Sequence, residues 1–236
     1  MSRRRHRRRG YFRDVSTVAS RLAERYGDHS HGNKANPLRE LIFIICSVQT
    51  NETLYRSTFN ELMAAFPSFR ELADAEEDEI ASVIAHGGLS NQKARTIRAV
   101  LAQIASDFGS PTLSPLRRMS DGECERYLES LPGIGRKTAR CVMMYSLGRD
   151  VFPVDSNCWR ICRRVGWVRP TRPDKSCSPH DMERVESGVP PNLRFSLHVN
   201  FVSHGRACCL PSRALCDTCC IWQFCQTGKR HMKNGT

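Results

Sequence analysis

Residues 131–139 read Leu131-Pro132-Gly133-Ile134-Gly135-Arg136-Lys137-Thr138-Ala139. This stretch separates a helix expected to end near Ser130 from one expected to run from Arg136 to about Leu147, where Gly148 stops it. Two glycines around one aliphatic residue let the backbone turn tightly and face amide N–H groups outward. Gly133, Ile134, Gly135 and Arg136, together with the positive end of the following helix, would form a phosphate seat blind to base sequence. A Gly-x-Gly turn also serves as plain punctuation between helices, so the stretch alone leaves both uses open.

Working outward, helix signals dominate. Asn36-Pro37 is a cap and first-turn pair opening the apolar stretch Leu38 to Val48, whose all-round hydrophobicity predicts a central buried helix. Ser68 with Glu71, Asp74 with Glu77, and Ser120 with Glu123 have capping-box spacing; Gly87-Gly88 is expected to close the second of these helices. Ala94, Ile97, Leu101, Ile104 and Phe108 recur at three- and four-residue intervals before a stop at Gly109. Ser178-Pro179 with Asp181 marks a late helix start, after an exposed connection from Arg169 to Pro179. No stretch alternates with period two long enough to predict a strand, and no internal repeat is visible. The expected class is all-α.

Composition narrows the partners. The chain has 236 residues, 36 Lys+Arg against 24 Asp+Glu, and a formal charge of +12. That balance favours a polyanion, nucleic acid or an anionic surface. Arg3, Arg4, Arg5, Arg7, Arg8 and Arg9 supply six of those charges, and residues 1–10 are expected to be a disordered basic tail. The longest apolar run, Leu41 to Cys46, is far below the roughly 18 residues of a membrane span, so no membrane partner is expected.

Twelve cysteines without an apolar signal segment point to a reducing compartment rather than a disulfide scaffold. Cytoplasmic, nucleoid-associated placement is expected if the chain is bacterial, with nuclear or mitochondrial placement left open. Cys209, Cys216, Cys219 and Cys225 are spaced C-x6-C-x2-C-x5-C. Four thiolates so close can hold a metal, and spacing alone does not separate zinc from iron–sulfur. The remaining eight cysteines, Cys208 and Cys220 among them, read as small buried apolar residues.

Leu131 to Ala139 resembles the helix-hairpin-helix of the endonuclease III family of DNA glycosylases. Val154-Asp155 follows Lys137 at that family's lysine-to-aspartate spacing, eighteen residues. The cysteine spacing, preceded by His204-Gly205-Arg206, is similar to the family's [4Fe–4S] loop. By this resemblance Lys137 is the amine that attacks the sugar C1′, Asp155 assists it, and Cys209, Cys216, Cys219 and Cys225 hold the cluster. On the residues alone, a phosphate contact is the commoner reading of Lys137 and a helix N-cap that of Asp155. A first-turn lysine is helped toward its neutral, nucleophilic form by the helix dipole and partial burial.

A glycosylase must extrude its base and plug the gap. Ser47-Val48-Gln49 resembles the family segment whose glutamine fills that space, and Gly88-Leu89-Ser90 the loop carrying an apolar wedge, here Leu89. Glu52 stands where bacterial members carry aspartate, and Ser90 where they often carry an aromatic, which leaves the lesion open. Phe152 to Asp155 and Gly166-Trp167-Val168 also look like segments of plant 5-methylcytosine glycosylases.

The resemblance covers about Asn36 to Cys225. It implies a two-domain helix-hairpin-helix glycosylase fold with a DNA cleft: a helical barrel over 37–148, and a cluster domain from 11–36 plus 149–236. The implied function is a bifunctional DNA glycosylase and AP lyase that removes damaged pyrimidines from duplex DNA as a monomer. The alternatives are a glycosylase for mismatched thymine, uracil or 5-methylcytosine, and a noncatalytic DNA-structure binder.

Overall fold

The computed structural model describes residues 12–172, 174 and 176–234; the arginine-rich segment, with its expected disorder, lies outside them. Twelve α-helices occur among the described residues, with no strand and a single isolated bridge between Cys209 and Ala214. No helix among them is long and apolar enough to cross a membrane. The chain divides into two compact units, one of residues 32–149 and the other of the described residues up to His31 with those from Asp150 onward.

In the 32–149 unit, α2 (Pro37–Ser47) is the core element; it follows α1 (Val15–Tyr26) of the other unit in chain order. Leu38 and Leu41 to Cys46 are all buried. The Asn36 side chain accepts hydrogen bonds from the Leu38 and Arg39 amides, both at 3.0 Å, so the Asn-Pro start forms as the sequence indicates. Helices α3 (Glu52–Ala65), α6 (Ser90–Phe108) and α8 (Arg136–Leu147) pack against α2. Phe43 meets Tyr55 and Phe59 edge-on, each at 5.2 Å, the arrangement ring quadrupoles favour.

Between α3 and α6 come α4 (Phe69–Asp74) and α5 (Glu77–Val83). Here one sequence expectation is corrected. The capping box at α5 is Glu76 with Glu79, not Asp74 with Glu77, because Asp74 is the last residue of α4. Helix α5 also ends at Val83, and a short 3-10 turn, Ala85–Gly87, intervenes before Gly88. The Ser68 cap and both halves of the Ser120–Glu123 box, which opens α7 (Asp121–Ser130), form as expected. Gly109 and Gly148 end α6 and α8 as left-handed caps.

In the second unit, α1 and α9 (Ser156–Val165) pack against α11 (Arg194–Ala207). Val18, Leu22, Phe152, Leu197 and Phe201 form its core, and Trp167 lies between Phe12 and Phe201 at 5.5 and 5.8 Å. Helix α10 (Pro179–Gly188) opens with a complete Ser178–Asp181 box, and α12 (Gln226–Asn234) follows the cysteine loop.

Candidate functional site

The hairpin joining α7 to α8 is a turn with Pro132 and Gly133 at its corners. The Ile134 amide donates to Leu131 O at 3.1 Å, and Gly133 has φ +73°. These are the features of a type II turn, which prefers proline then glycine at its two central positions. A side chain at Gly133 would be strained by that φ and would approach Thr96 Cγ2 at 3.1 Å. The Ile134 side chain is buried and its amide closes the turn, so it anchors the hairpin rather than facing outward. Gly133 and Gly135 are exposed. Gly135 has an ordinary φ of −99°, and a Cβ there would meet nothing within 4 Å. The fold itself therefore gives no reason for a glycine at 135, whereas a ligand approaching the backbone would.

Lys137 is the second residue of α8 and is half-buried. Arg136 beside it donates from Nε to Glu129 Oε1 at 3.0 Å, so its charge already faces a carboxylate. Glu40 on α2 is fully buried and accepts from the Lys34 amide at 2.6 Å and from Asn33 Nδ2 at 2.5 Å. Burial pushes its carboxyl up; these hydrogen bonds and the nearby Lys137 ammonium pull it back toward ionisation. Glu40 was missed by sequence reasoning, which took Leu38 to Val48 as apolar all round and passed over the one acid within it.

Gln49 and Leu89 are both exposed and both left-handed, at φ +51° and +53°. Such a conformation costs a non-glycine residue roughly 1–2 kcal/mol. Leu89 is 42% and Val48 45% exposed, the most exposed large apolar side chains among the described residues. Strain and exposed apolar surface thus coincide on two loops. The loops are joined by Lys93, whose side chain is buried. Its Nζ donates to Cys46 O, Thr50 Oγ1 and Gly87 O, each at 2.8 Å. Thr50 Oγ1 in turn donates to Gly87 O at 2.8 Å. Sequence reading passed over Lys93 because nothing in its neighbours announces burial. Glu52, at the position where a family aspartate is expected, pairs with Arg56 at 2.6 Å.

In the other unit, Asp155 is the N-cap of α9, accepting from the Cys158 amide at 2.7 Å and from Asn157 Nδ2 at 3.0 Å. Its N-cap use is therefore real, and its carboxylate stays half-buried.

Cys209, Cys216, Cys219 and Cys225 all line one small cavity beneath Arg164 and Gly228. Arg164 Nη1 lies 3.1 Å from Cys209 Sγ, and the Gly228 amide 3.4 Å from Cys225 Sγ. Burial pushes the Cys216, Cys219 and Cys225 thiols up. They would ionise only against a coordinated cation, whose charge offsets the burial. Four cysteines lining one cavity, with N–H donors at two of their sulfurs, are residues of the right chemistry for a thiolate-bound metal group. Another grouping shares one member: His204, Cys208 and Cys219 place ligand atoms within 4.8 Å of one another. Burial lowers His204 to about 4, so it is a neutral imidazole, with Tyr26 Oη 3.0 Å from Nδ1 and Cys219 Sγ 3.6 Å from Nε2. Of the other eight cysteines, Cys177 and Cys220 are half-buried and the rest buried.

Residues 42–186 match the HhH-GPD superfamily of base excision DNA repair proteins. A candidate DNA glycosylase of Arabidopsis thaliana, At3g47830, is 32% identical over 71% of this chain, which spans 56% of that protein's length. The endonuclease III of Thermotoga maritima is 26% identical over 94% of this chain and 99% of its own. The solved structure of a non-covalent endonuclease III–DNA complex superposes with a TM-score of 0.79 at 22% identity, covering 94% of this chain and 98% of the other.

Proposed function

The chain belongs to the HhH-GPD superfamily of base excision DNA repair proteins, and from that premise we propose that it is a bifunctional DNA glycosylase and AP lyase acting on damaged pyrimidines in duplex DNA. The observation that carries this reading is Lys137, half-buried in the first turn of α8 directly behind the outward glycines of the hairpin. A phosphate against the Gly133 and Gly135 backbone would bring a nucleotide to that amine.

The chemistry runs through that nitrogen. Lys137, once its ammonium has given up a proton, attacks the sugar C1′; the base leaves with the glycosidic electron pair and takes up a proton. Opening of the sugar ring gives an iminium between Nζ and C1′. Loss of a C2′ proton then breaks the C3′–O bond, the 3′ phosphate leaves, and water releases the lysine. Asp155 is assigned the assisting carboxylate, which stabilises the developing positive charge and takes a proton. Gln49 and Leu89 are assigned to the space the extruded base leaves. An exposed, strained leucine on a clamped loop suits a wedge better than a core role.

Cys209, Cys216, Cys219 and Cys225 are assigned as ligands of a [4Fe–4S] cluster, whose part is to hold the loop and α12 in place. The competing use, one metal ion on His204, Cys208 and Cys219, is excluded or adopted by iron and zinc analysis of the purified protein.

Borohydride trapping tests the lysine. Duplexes carrying thymine glycol, an abasic site, uracil or 5-methylcytosine are incubated with the protein and with Lys137→Ala. A covalent adduct on thymine glycol that the variant lacks supports both the Schiff base and the pyrimidine-lesion class. Adducts on uracil or 5-methylcytosine instead move the substrate to those bases. Full trapping by Lys137→Ala overturns the assignment.

A further inference from the structure

A cavity of about 680 Å³ opens on the unit that carries the cysteine loop. Arg160, Arg163, Arg164, Arg169, Arg172 and Arg230 line it, and no carboxylate is among its described lining residues. Its volume falls in the range of roughly 300–1,000 Å³ typical of small-ligand sites. The six arginines come from three separate segments: α9, the connection after it, and α12.

The arginines divide into two kinds. Arg160 and Arg164 are tied to the cysteine loop. Arg160 donates from Nε to Cys209 O at 2.8 Å and from Nη2 to Gly205 O at 2.9 Å. Arg164 donates to Leu210 O at 2.7 Å and Pro211 O at 2.9 Å. These carbonyls leave the charge of Arg160 uncancelled, whereas Arg164 also faces Cys209 Sγ at 3.1 Å, a sulfur assigned to the cluster. Arg163, Arg169 and Arg230, by contrast, form no side-chain ion pair among the described residues, although ion pairs are frequent elsewhere in the structure. Arg172 has one long contact, 3.4 Å, to Ser176 Oγ.

Converging guanidinium groups with no acid between them repel one another, and an anion would relieve that repulsion. The planar fork of arginine matches a phosphate by paired N–H···O bonds. No aromatic ring is among its described lining residues, so none of these would stack a base. Arg163 lies eight residues beyond Asp155 on the same helix, roughly 12 Å away along the axis. The Arg163 end of the cavity is thus set apart from the assigned carboxylate, while Arg160 at its other end donates to Asn157 Oδ1 at 2.7 Å, and Asn157 Nδ2 donates to Asp155 at 3.0 Å.

We propose that this cavity is a phosphate site that recognises a polyphosphate or phosphodiester anion through Arg163, Arg169 and Arg230, without reading a base. Two sources carry that chemistry: the backbone of a nucleic acid strand, and a free polyphosphate. The site stands on its own lining residues, and the loss of Lys137 chemistry would leave it untouched.

The test uses the full chain with its metal group, and the triple variant Arg163→Gln/Arg169→Gln/Arg230→Gln, which spares the two arginines holding the loop. Inorganic tripolyphosphate binding is followed by calorimetry. The wild type is expected to bind it at least about tenfold more tightly than the triple variant. The variant Arg163→Lys/Arg169→Lys/Arg230→Lys, which keeps charge and loses the fork, should fall between. If the triple glutamine variant does not fold, the three single substitutions are read in its place, each expected to weaken binding.

Binding to an undamaged duplex is then measured against salt. If backbone phosphates occupy the cavity, the slope of log K against log salt becomes shallower by up to about 2.7 in the triple variant. An unchanged slope beside lost tripolyphosphate binding assigns the cavity to a free polyphosphate. Equal tripolyphosphate binding by wild type and triple variant, with equal slopes, overturns the proposal.

Discussion

Replacing Lys93 by methionine removes the one ammonium that joins the Gln49 and Leu89 loops while nearly preserving side-chain volume. Its three 2.8 Å hydrogen bonds hold Cys46 O, Thr50 Oγ1 and Gly87 O. Bonds from a charged donor contribute about 1.5–3 kcal/mol each, so the gross loss is roughly 4–9 kcal/mol. The substitution also abolishes the burial of the ammonium, which costs several kcal/mol and offsets much of that loss. Gly87 O keeps the Thr50 hydroxyl, but Cys46 O is stranded, at about 1–3 kcal/mol. The balance is a destabilisation of about 2–4 kcal/mol, read as a fall in Tm of roughly 5–15 °C.

The loops carry two residues at positive φ, so releasing them should let Gln49 and Leu89 relax and should weaken binding to an abasic duplex about tenfold or more. Burial holds Lys93 below its ordinary value of 10.5. Between that lowered folded value and 10.5 the unfolded chain binds more protons, so this residue adds stability as pH rises through the alkaline window. The methionine variant should lack that rise. Thermal unfolding from neutral to alkaline pH and a binding titration measure all three. A Tm within about 2 °C of wild type together with unchanged duplex affinity would refute the clamp.

Two further substitutions separate structure from use. Leu89→Gly relieves a left-handed position by roughly 1–2 kcal/mol but adds glycine's entropic cost of roughly 0.5–1 kcal/mol and loses the covered part of the leucine, so Tm should change little while abasic-duplex binding weakens; stronger binding would contradict the wedge role. Cys209→Ala should lose the broad visible absorbance of an iron–sulfur protein and Cys208→Ala should keep it; the reverse result would transfer the metal to the His204, Cys208 and Cys219 grouping.

Much of this protein is legible in one dimension because the determining interactions are local. Asn36, Ser68, Ser120 and Ser178 each cap the helix that follows, as a short polar side chain within reach of the next amides will do in almost any context. Pro132-Gly133 carries its turn in its own dihedral preferences, and the closely spaced cysteines line one cavity because few residues separate them. At Asp74 the sequence reading slipped: its spacing to Glu77 suits a box, but Asp74 is the last residue of α4, and the box forms at Glu76 with Glu79, which the spacing of short polar caps does not point to.

What tertiary structure alone decided is the state of charged groups. Lys93 and Glu40 look like ordinary surface residues in sequence, and helix packing around α2 makes one a buried clamp and the other a buried carboxyl beside Lys137. The arginine cavity is assembled from positions 160 to 230, and no spacing rule links them. Burial and charge convergence depend on which faces of distant helices meet, and a chain's local preferences carry no term for that.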